Sequence, residues 1–228
     1  MPPARGGCWI IIPAYREAAA IARVIGALQP LGHAIVVVDD GSDDGTGDVA
    51  RACGVSVVRH GVNLGQGAAL QTGIAFALRQ GADYLVTFDA DGQHDPADIA
   101  GLLAPLEART CDFALGSRFL GRVEGASPFR LRFLRLAALF TRVTTGLRLT
   151  DAHNGMRAMT RRGASHVWLR QNRMAHASEI LHQIAASKLP FVEVPVHIRY
   201  TSYSRTKGQS LTGAFRILVD LVQQSVIR

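Results

Sequence analysis

Short apolar runs in this chain stop abruptly at turns rich in acidic or small residues, and that alternation constrains the fold more than any other feature of the sequence. Residues 8–12 run into Pro13-Ala14-Tyr15-Arg16-Glu17, and residues 34–38 into Asp39-Asp40-Gly41-Ser42-Asp43-Asp44-Gly45-Thr46. Residues 84–88 run into Asp89-Ala90-Asp91-Gly92-Gln93-His94. The runs are β-branched or aromatic and lack polar alternation, as strands buried on both faces of a parallel sheet do. Helix-forming stretches lie between them, one at 18–28, one led by residues 63–70 and running to about 80, and one at 97–107, with further short strands at 55–58 and 113–115. Strand and helix in alternation predict an α/β fold with a doubly wound parallel sheet. In such sheets ligands sit beyond the carboxyl ends of the strands, where all of these acidic turns fall.

The turn at 89–94 carries the sharpest chemistry. Asp89 and Asp91 at the end of a strand can face one point, as a hard divalent cation shared with a diphosphate requires. Read alone, the stretch is better explained as an Asp-Gly turn with an Asp cap; the convergence of acidic strand ends favours ligand binding. The acids of 39–44 exceed what one turn needs, and their mutual repulsion suggests a binding edge whose carboxylates accept from base N–H or ribose O–H groups. Glu17 either complements a helix dipole or hydrogen-bonds a sugar or base, and its chemistry does not separate the two. Asn63-Leu64-Gly65-Gln66-Gly67-Ala68 contains Gly-x-Gly but lacks the remainder of a dinucleotide fingerprint. Its small residues are expected to let a helix start close to the sheet.

Composition narrows the partners. The chain has 228 residues, 48% hydrophobic and 19% charged, which suits a folded globule, read as one domain over residues 1–228. A net charge of +7 and a pI near 10.0 favour a polyanionic partner: nucleic acid, an anionic membrane surface or a phosphorylated substrate. No motif with interleaved aromatics supports nucleic acid. Cys8, Cys53 and Cys111 lack metal-ligand spacing and read as free thiols of a reducing compartment. There is no signal-peptide core, and no run approaches the roughly 18 apolar residues of a membrane span. The expected location is cytoplasmic, with any membrane contact peripheral.

In the second half, residues 129–147 put Phe129, Phe133, Leu136, Phe140, Val143 and Leu147 on one helical stripe, with Arg132, Arg135 and Arg142 to one side. This is either a helix packed on the sheet with a solvated arginine edge or a basic amphipathic helix in a membrane interface. Residues 191–199 read as a strand. Residues 211–227 read as a helix with a stripe at Leu211, Phe215, Leu218, Val219, Val222 and Val226, docked on the core or on a separate membrane-spanning subunit.

Taken together, Pro13–Glu17, Val37–Thr46, Asn63–Ala68, Asp89–His94 and Gly116-Ser117-Arg118 resemble the family 2 glycosyltransferases of GT-A fold, and more narrowly their polyprenyl-phosphate branch. The resemblance implies a nucleotide-sugar half over about 8–120 and an acceptor- and membrane-facing half over about 121–228. It implies that Pro13, Tyr15, Glu17, Val38 and Asp40 hold the nucleotide of a UDP- or GDP-hexose donor. Asp89, Ala90 and Asp91 would contact nucleotide and diphosphate, and Asp89, Asp91 and Gln93 would hold Mg²⁺ or Mn²⁺. Arg118 would face a phosphate of donor or acceptor. The place of 129–147 after Arg118 matches where this branch keeps membrane-facing helices, which favours the interface reading.

Asp151-Ala152-His153-Asn154-Gly155-Met156-Arg157 is similar to the family's Asp-x-x-x-Gly-Phe-Arg segment, with Met in the aromatic position. Asp151 would orient an acceptor-side arginine or form a structural salt bridge. Glu179 matches the family's helix acid; His176 lies one turn away, but no third ligand suggests a second metal. Arg199, Arg205 and Lys207 are candidates to grip phosphate, in a spacing longer than the branch's usual one and with Thr206 for Ser. The implied activity is metal-dependent, inverting transfer of a hexose to a polyprenyl phosphate, with Asp91, Arg118 and Lys207 as catalytic residues. A phosphate acceptor is already ionised near neutral pH and needs no strong base. The alternatives are transfer to a glycan hydroxyl, with Glu179 or Asp151 as base, and a non-catalytic protein that binds nucleotide sugar or acidic lipid.

Overall fold

The computed structural model describes residues 7–172 and 175–200, so Arg205, Lys207 and the stretch 211–227 lie outside the described residues. Seven strands form one sheet in the order β3-β2-β1-β4-β6-β5-β7. These are β1 (Cys8–Ala14), β2 (Ala34–Asp39), β3 (Ser56–Arg59), β4 (Tyr84–Thr87), β5 (Phe113–Glu124), β6 (Arg157–Thr160) and β7 (Phe191–Arg199). All neighbours are parallel except around β6, which runs antiparallel to both β4 and β5. The helices are α1 (Ala18–Leu28), α2 (Thr46–Ala52), α3 (Gln66–Arg79), α4 (Asp98–Glu107), α5 (Pro128–Thr145), α6 (Arg161–Ala164) and α7 (His176–Ser187).

Alternation along β1 shows why the runs lack polar residues. Ile10 and Ile12 enter one core with Ile21, Ile25 and Leu28 of α1 and Ile99 and Leu102 of α4. Trp9 and Ile11 enter the other, with Leu70 and Ile74 of α3 and Ile180 and Ile184 of α7. Successive side chains point to opposite faces, so a strand covered on both sides must be apolar throughout. Two expectations shift. Pro13 does not stop the ladder but stays in register with Val38. Gly116-Ser117-Arg118 lies within β5 rather than after it, and the pairing with β7 is irregular between Ser117 and Arg122.

The small residues of α3 serve two surfaces. A Cβ on Gly73 would stand 2.2 Å from Ile11 Cγ2, so this glycine sets the approach of helix to sheet. A Cβ on Gly67 would stand 2.0 Å from the Gln171 carbonyl, and Gly67 N donates to Asn172 O at 2.8 Å. At the start of the helix, then, smallness admits the 171–172 loop rather than the sheet.

α5 does not pack through its apolar stripe. Its buried residues are Ala137, Ala138 and Thr141, whereas Phe129, Leu136 and Val143 are 66%, 64% and 78% exposed. Ser127 caps the helix by accepting from Arg130 N, Pro128 follows, and Gly146 closes it with φ 76°. Arg132, Arg135 and Arg142 are exposed beside the apolar residues. No described helix is long and apolar enough to cross a membrane.

The glycines give a stability test with opposite signs. A Cβ on Gly26 in α1 would meet nothing within 4 Å, so Gly26→Ala should raise unfolding free energy by up to about 1 kcal/mol through helix propensity. Gly73→Ala should instead lower it by about 1–3 kcal/mol through overpacking against Ile11. Urea unfolding of the two variants checks the pair, and equal shifts would show that α3 yields freely.

Candidate functional site

A cleft of about 390 Å³ opens at the carboxyl ends of β1, β2 and β4 and runs across β5 to α5. One wall is acidic. β1 delivers Pro13, Tyr15 and Glu17, β2 delivers Asp40, and the turn after β4 delivers Asp89, Ala90, Asp91 and Gln93. The other wall is basic, with Arg118 from β5, Arg130 from α5, and His153, Asn154 and Arg157 from the segment leading into β6.

The acidic loops are locked together by the very carboxylates that exceed the needs of a turn. Arg16 pairs with Asp43 at 2.7 Å, and its backbone N donates to Ser42 Oγ at 3.0 Å. Asp44 accepts from Ala18 N and Thr46 N, and Asp39 from Ser42 N. Arg16 holds φ at 55°, a left-handed conformation unusual for arginine, within this latch. Asp43 and Asp44 thus staple the β2 turn to the β1 turn, while Asp39 braces its own turn. Asp40, which lines the cleft, accepts from Leu64 N, Gly65 N and His60 Nδ1, the last at 2.7 Å.

Asp89 is held from several sides. His94 Nε2 donates to its Oδ2 at 2.9 Å and Gln66 Nε2 to its Oδ1 at 3.3 Å. Gly155 lies so close that a Cβ there would stand 2.3 Å from Oδ2. Burial opposes its charge, but His94, Arg157 and His176 prevail and keep its carboxyl below the usual range. Asp91 goes the other way: burial and then the charge of Asp89 raise it. Gln93 N and Nε2 both donate to Asp91. β7 fixes this turn from behind, through Arg199 N to Gln93 O at 2.9 Å and a bridge between His94 and Ile198.

These residues suit a hard cation in their chemistry. Two half-buried carboxylates and an amide offer oxygen donors, and the raised Asp91 carboxyl marks negative charge that a cation would relieve. Among the described residues no three His, Cys, Asp or Glu side chains form a complete cage.

The basic wall is organised by Arg118. Its Nε donates to Asp151 Oδ2 at 2.6 Å, Nη1 to the Tyr200 hydroxyl at 2.6 Å and Nη2 to His153 O at 2.8 Å. Burial opposes its charge, yet Asp151 and Tyr200 raise its pKa. Arg130 stacks over the Tyr200 ring at 4.6 Å. His153 is pushed down to about 4, mainly by burial, and so is neutral near pH 7. Burial also lowers Arg157, to about 10, leaving it charged.

Several expected site residues stand elsewhere. Val38 is fully buried beneath the cleft. Asp151 sits behind Arg118 as its partner and does not line the cleft. Glu179 accepts from Arg170 N and Gln171 N at 3.0 and 2.9 Å, holding the loop before α7 rather than facing the cleft. Arg199 pairs with Asp95 at 3.2 Å outside the cleft. Conversely Gln66, Arg130, His153, Asn154, Arg157, His176 and Tyr200 line it, although sequence reasoning assigns none of them to the site. Gln66, His153, Asn154 and Arg157 fall within segments that carry the family resemblance, and Arg157 occupies a defined position there, at the end of the Asp-x-x-x-Gly-Met-Arg segment.

The model of glycosyl transferase family 2 matches residues 9–168. A UDP-N-acetylglucosamine–dolichyl-phosphate N-acetylglucosaminyltransferase of Methanococcus voltae is 33% identical over 94% of this chain and 94% of its own. A polyprenol monophosphomannose synthase of Mycolicibacterium smegmatis is 36% identical over 67% of this chain and 61% of its own. In fold, the chain is similar to glucosyl-3-phosphoglycerate synthase of Mycobacterium tuberculosis, solved with Mn²⁺, UDP and glucosyl-3-phosphoglycerate. The TM-score is 0.71 at 19% identity, over 98% of this chain and 81% of that one. A seven-stranded GT-A sheet, its acidic turns at the strand ends and this family match together make the chain a glycosyltransferase that belongs to glycosyl transferase family 2.

Proposed function

We propose that the protein transfers a hexose from a UDP- or GDP-sugar to a polyprenyl phosphate, with inversion, at an anionic membrane surface. The observation that carries this reading is the polarity of the cleft: carboxylates on the donor wall, arginines on the other, and Asp151 already committed to Arg118. A hydroxyl acceptor would need a base on the second wall. A phosphate monoester brings its own nucleophilic oxygen and needs cationic neighbours instead. The named activities of the Methanococcus and Mycolicibacterium relatives support the same acceptor class.

In this reading Pro13, Tyr15, Glu17 and Asp40 receive the nucleotide, and Asp89 and Ala90 border its diphosphate. Asp89, Asp91 and Gln93 would hold Mg²⁺ or Mn²⁺, which when bound supplies charge stabilisation to the departing diphosphate. The acceptor oxygen bonds to the anomeric carbon on the face opposite the diphosphate as the bond to that diphosphate breaks. Arg118, fixed by Asp151 and Tyr200, keeps a rigid positive charge beside the reacting phosphates without reorganising. The exposed Phe129, Leu136 and Val143, flanked by arginines, would rest in the lipid interface and bring the cleft to its acceptor.

Purified protein with Mg²⁺ or Mn²⁺, polyprenyl phosphate and a panel of UDP- and GDP-hexoses should yield glycolipid with at least one donor; none with any donor would overturn the reading. Asp91→Ala should lower kcat by about 100-fold or more with the thermal midpoint kept. For the interface, Phe129→Ser, Leu136→Ser and Val143→Ser combined should weaken sedimentation with phosphatidylglycerol vesicles by about tenfold or more. Unchanged sedimentation would remove α5 from the membrane contact.

A further inference from the structure

Two cleft-lining side chains stand close to Gly155: Asn154, with a buried amide N–H that has no partner among the described residues, and Arg157, whose guanidinium is held only by charge. Arg157 is only 5% exposed, and its guanidinium makes no hydrogen bond among the described residues. The carboxylates of Asp89 and Asp151 act on it through charge, without a hydrogen bond to it. Asn154 is 2% exposed; its Oδ1 accepts from Met156 N at 2.9 Å, while its Nδ2 has no partner among the described residues. The Met156 bond fixes the amide orientation, since a reversed amide would set donor against donor. A buried N–H left unmade costs about 1–3 kcal/mol, more for a charged group. Such groups lining a cleft are retained where a ligand completes them.

Both residues belong to the segment that positions Arg118 through Asp151 and the His153 carbonyl. From there the basic wall continues through Arg130 to the exposed face of α5, away from Pro13, Tyr15 and Asp40. Arg118 has three of its N–H groups committed to protein acceptors, so Arg157 has the freer fork. A guanidinium fork with a neighbouring amide donor matches the oxygens of a phosphate monoester.

We propose that Arg157 and Asn154 form the subsite that binds the phosphate of the lipid acceptor, an assignment that rests on the reading above. The bland role for Arg157 is counter-charge to Asp89, and a charge-conserving variant separates the two. Arg157→Lys keeps the charge and loses the fork, and Asn154→Asp keeps the acceptor for Met156 N and loses the donors.

Farnesyl phosphate serves as the probe, with farnesol as its uncharged control and UDP and GDP with Mn²⁺ as donor-side controls, all measured by calorimetry. The native protein should bind farnesyl phosphate and not farnesol. Each variant should weaken farnesyl phosphate by about tenfold or more, while nucleotide binding stays within about twofold and the circular dichroism spectrum is kept. Native affinity for farnesyl phosphate in Arg157→Lys together with Asn154→Asp would overturn the subsite. So would an equal loss of nucleotide binding, which would place Arg157 on the donor, and so would failure of the native protein to bind the probe. These readouts require no turnover. Glycolipid formed by the native protein with unaltered variant binding would sink this assignment alone, and phosphate-selective binding without any glycolipid would sink the transferase reading alone.

Discussion

The basic half of the cleft depends on one buried ion pair. Arg118 and Asp151 meet at 2.6 Å with side chains 7% and 0% exposed, joining β5 to the segment that leads into β6. Breaking such a pair by removing one partner costs about 3–5 kcal/mol, because the survivor is left charged in a poor solvent. The geometry here is well satisfied. Asp151 also accepts from Arg118 N and His153 N, and Arg118 reaches Tyr200 and a backbone carbonyl. Satisfaction on this scale gives a unique arrangement rather than an approximate one. Arg118 therefore acts less as a flexible phosphate hook than as the post on which the wall is hung.

That post explains the antiparallel strand. Asp151 holds the chain at β5, Gly155 sets it against Asp89, and Thr87 Oγ1 donates to Gly155 O at 2.6 Å. The chain then enters the sheet between β4 and β5, running back as Arg157-Ala158-Met159-Thr160. One consequence is geometric: the segment approaches the acidic turn from the side opposite to β1 and β2. The acidic groups beside β1 and β2 and the groups of the segment leading into β6 are thereby separated by topology and not merely by loop conformation.

The parallel strands and their helices were legible in the sequence because each is specified locally. Residues 34–38 are an unbroken apolar run, residues 84–88 are β-branched or aromatic but for Leu85, and α1 and α4 repeat at helical spacing. The cleft's acidic wall was legible for the same reason, since Asp40, Asp89 and Asp91 follow such strands directly. What was not legible depended on contacts between distant segments. β6 has four residues and begins with an arginine, so no periodicity announces it. The acids at 43 and 44 have the chemistry of ligand groups; only the folded partner, the β1 turn with its Arg16 and the Ala18 N–H, shows them to be staples. Glu179 matches the family's helix acid by its position, yet its carboxylate is occupied by the backbone of the loop before its own helix.

α5 is the instructive intermediate case. Its apolar stripe was visible, but a stripe says only that one face avoids water, not what it meets. The structure turns Ala137, Ala138 and Thr141 inward and leaves Phe129, Leu136, Leu139 and Val143 outside. Small residues inside let the helix lie close to its neighbours, while exposing Phe129, Leu136 and Val143 would be wasteful in water alone. The same helix sends Arg130, Phe133 and Leu134 into the cleft. One element thus joins an apolar outer face to the arginine-lined end of the site. A substrate with a long apolar chain and a phosphate at its tip has the polarity that such an element matches, chain to the face and phosphate to the wall.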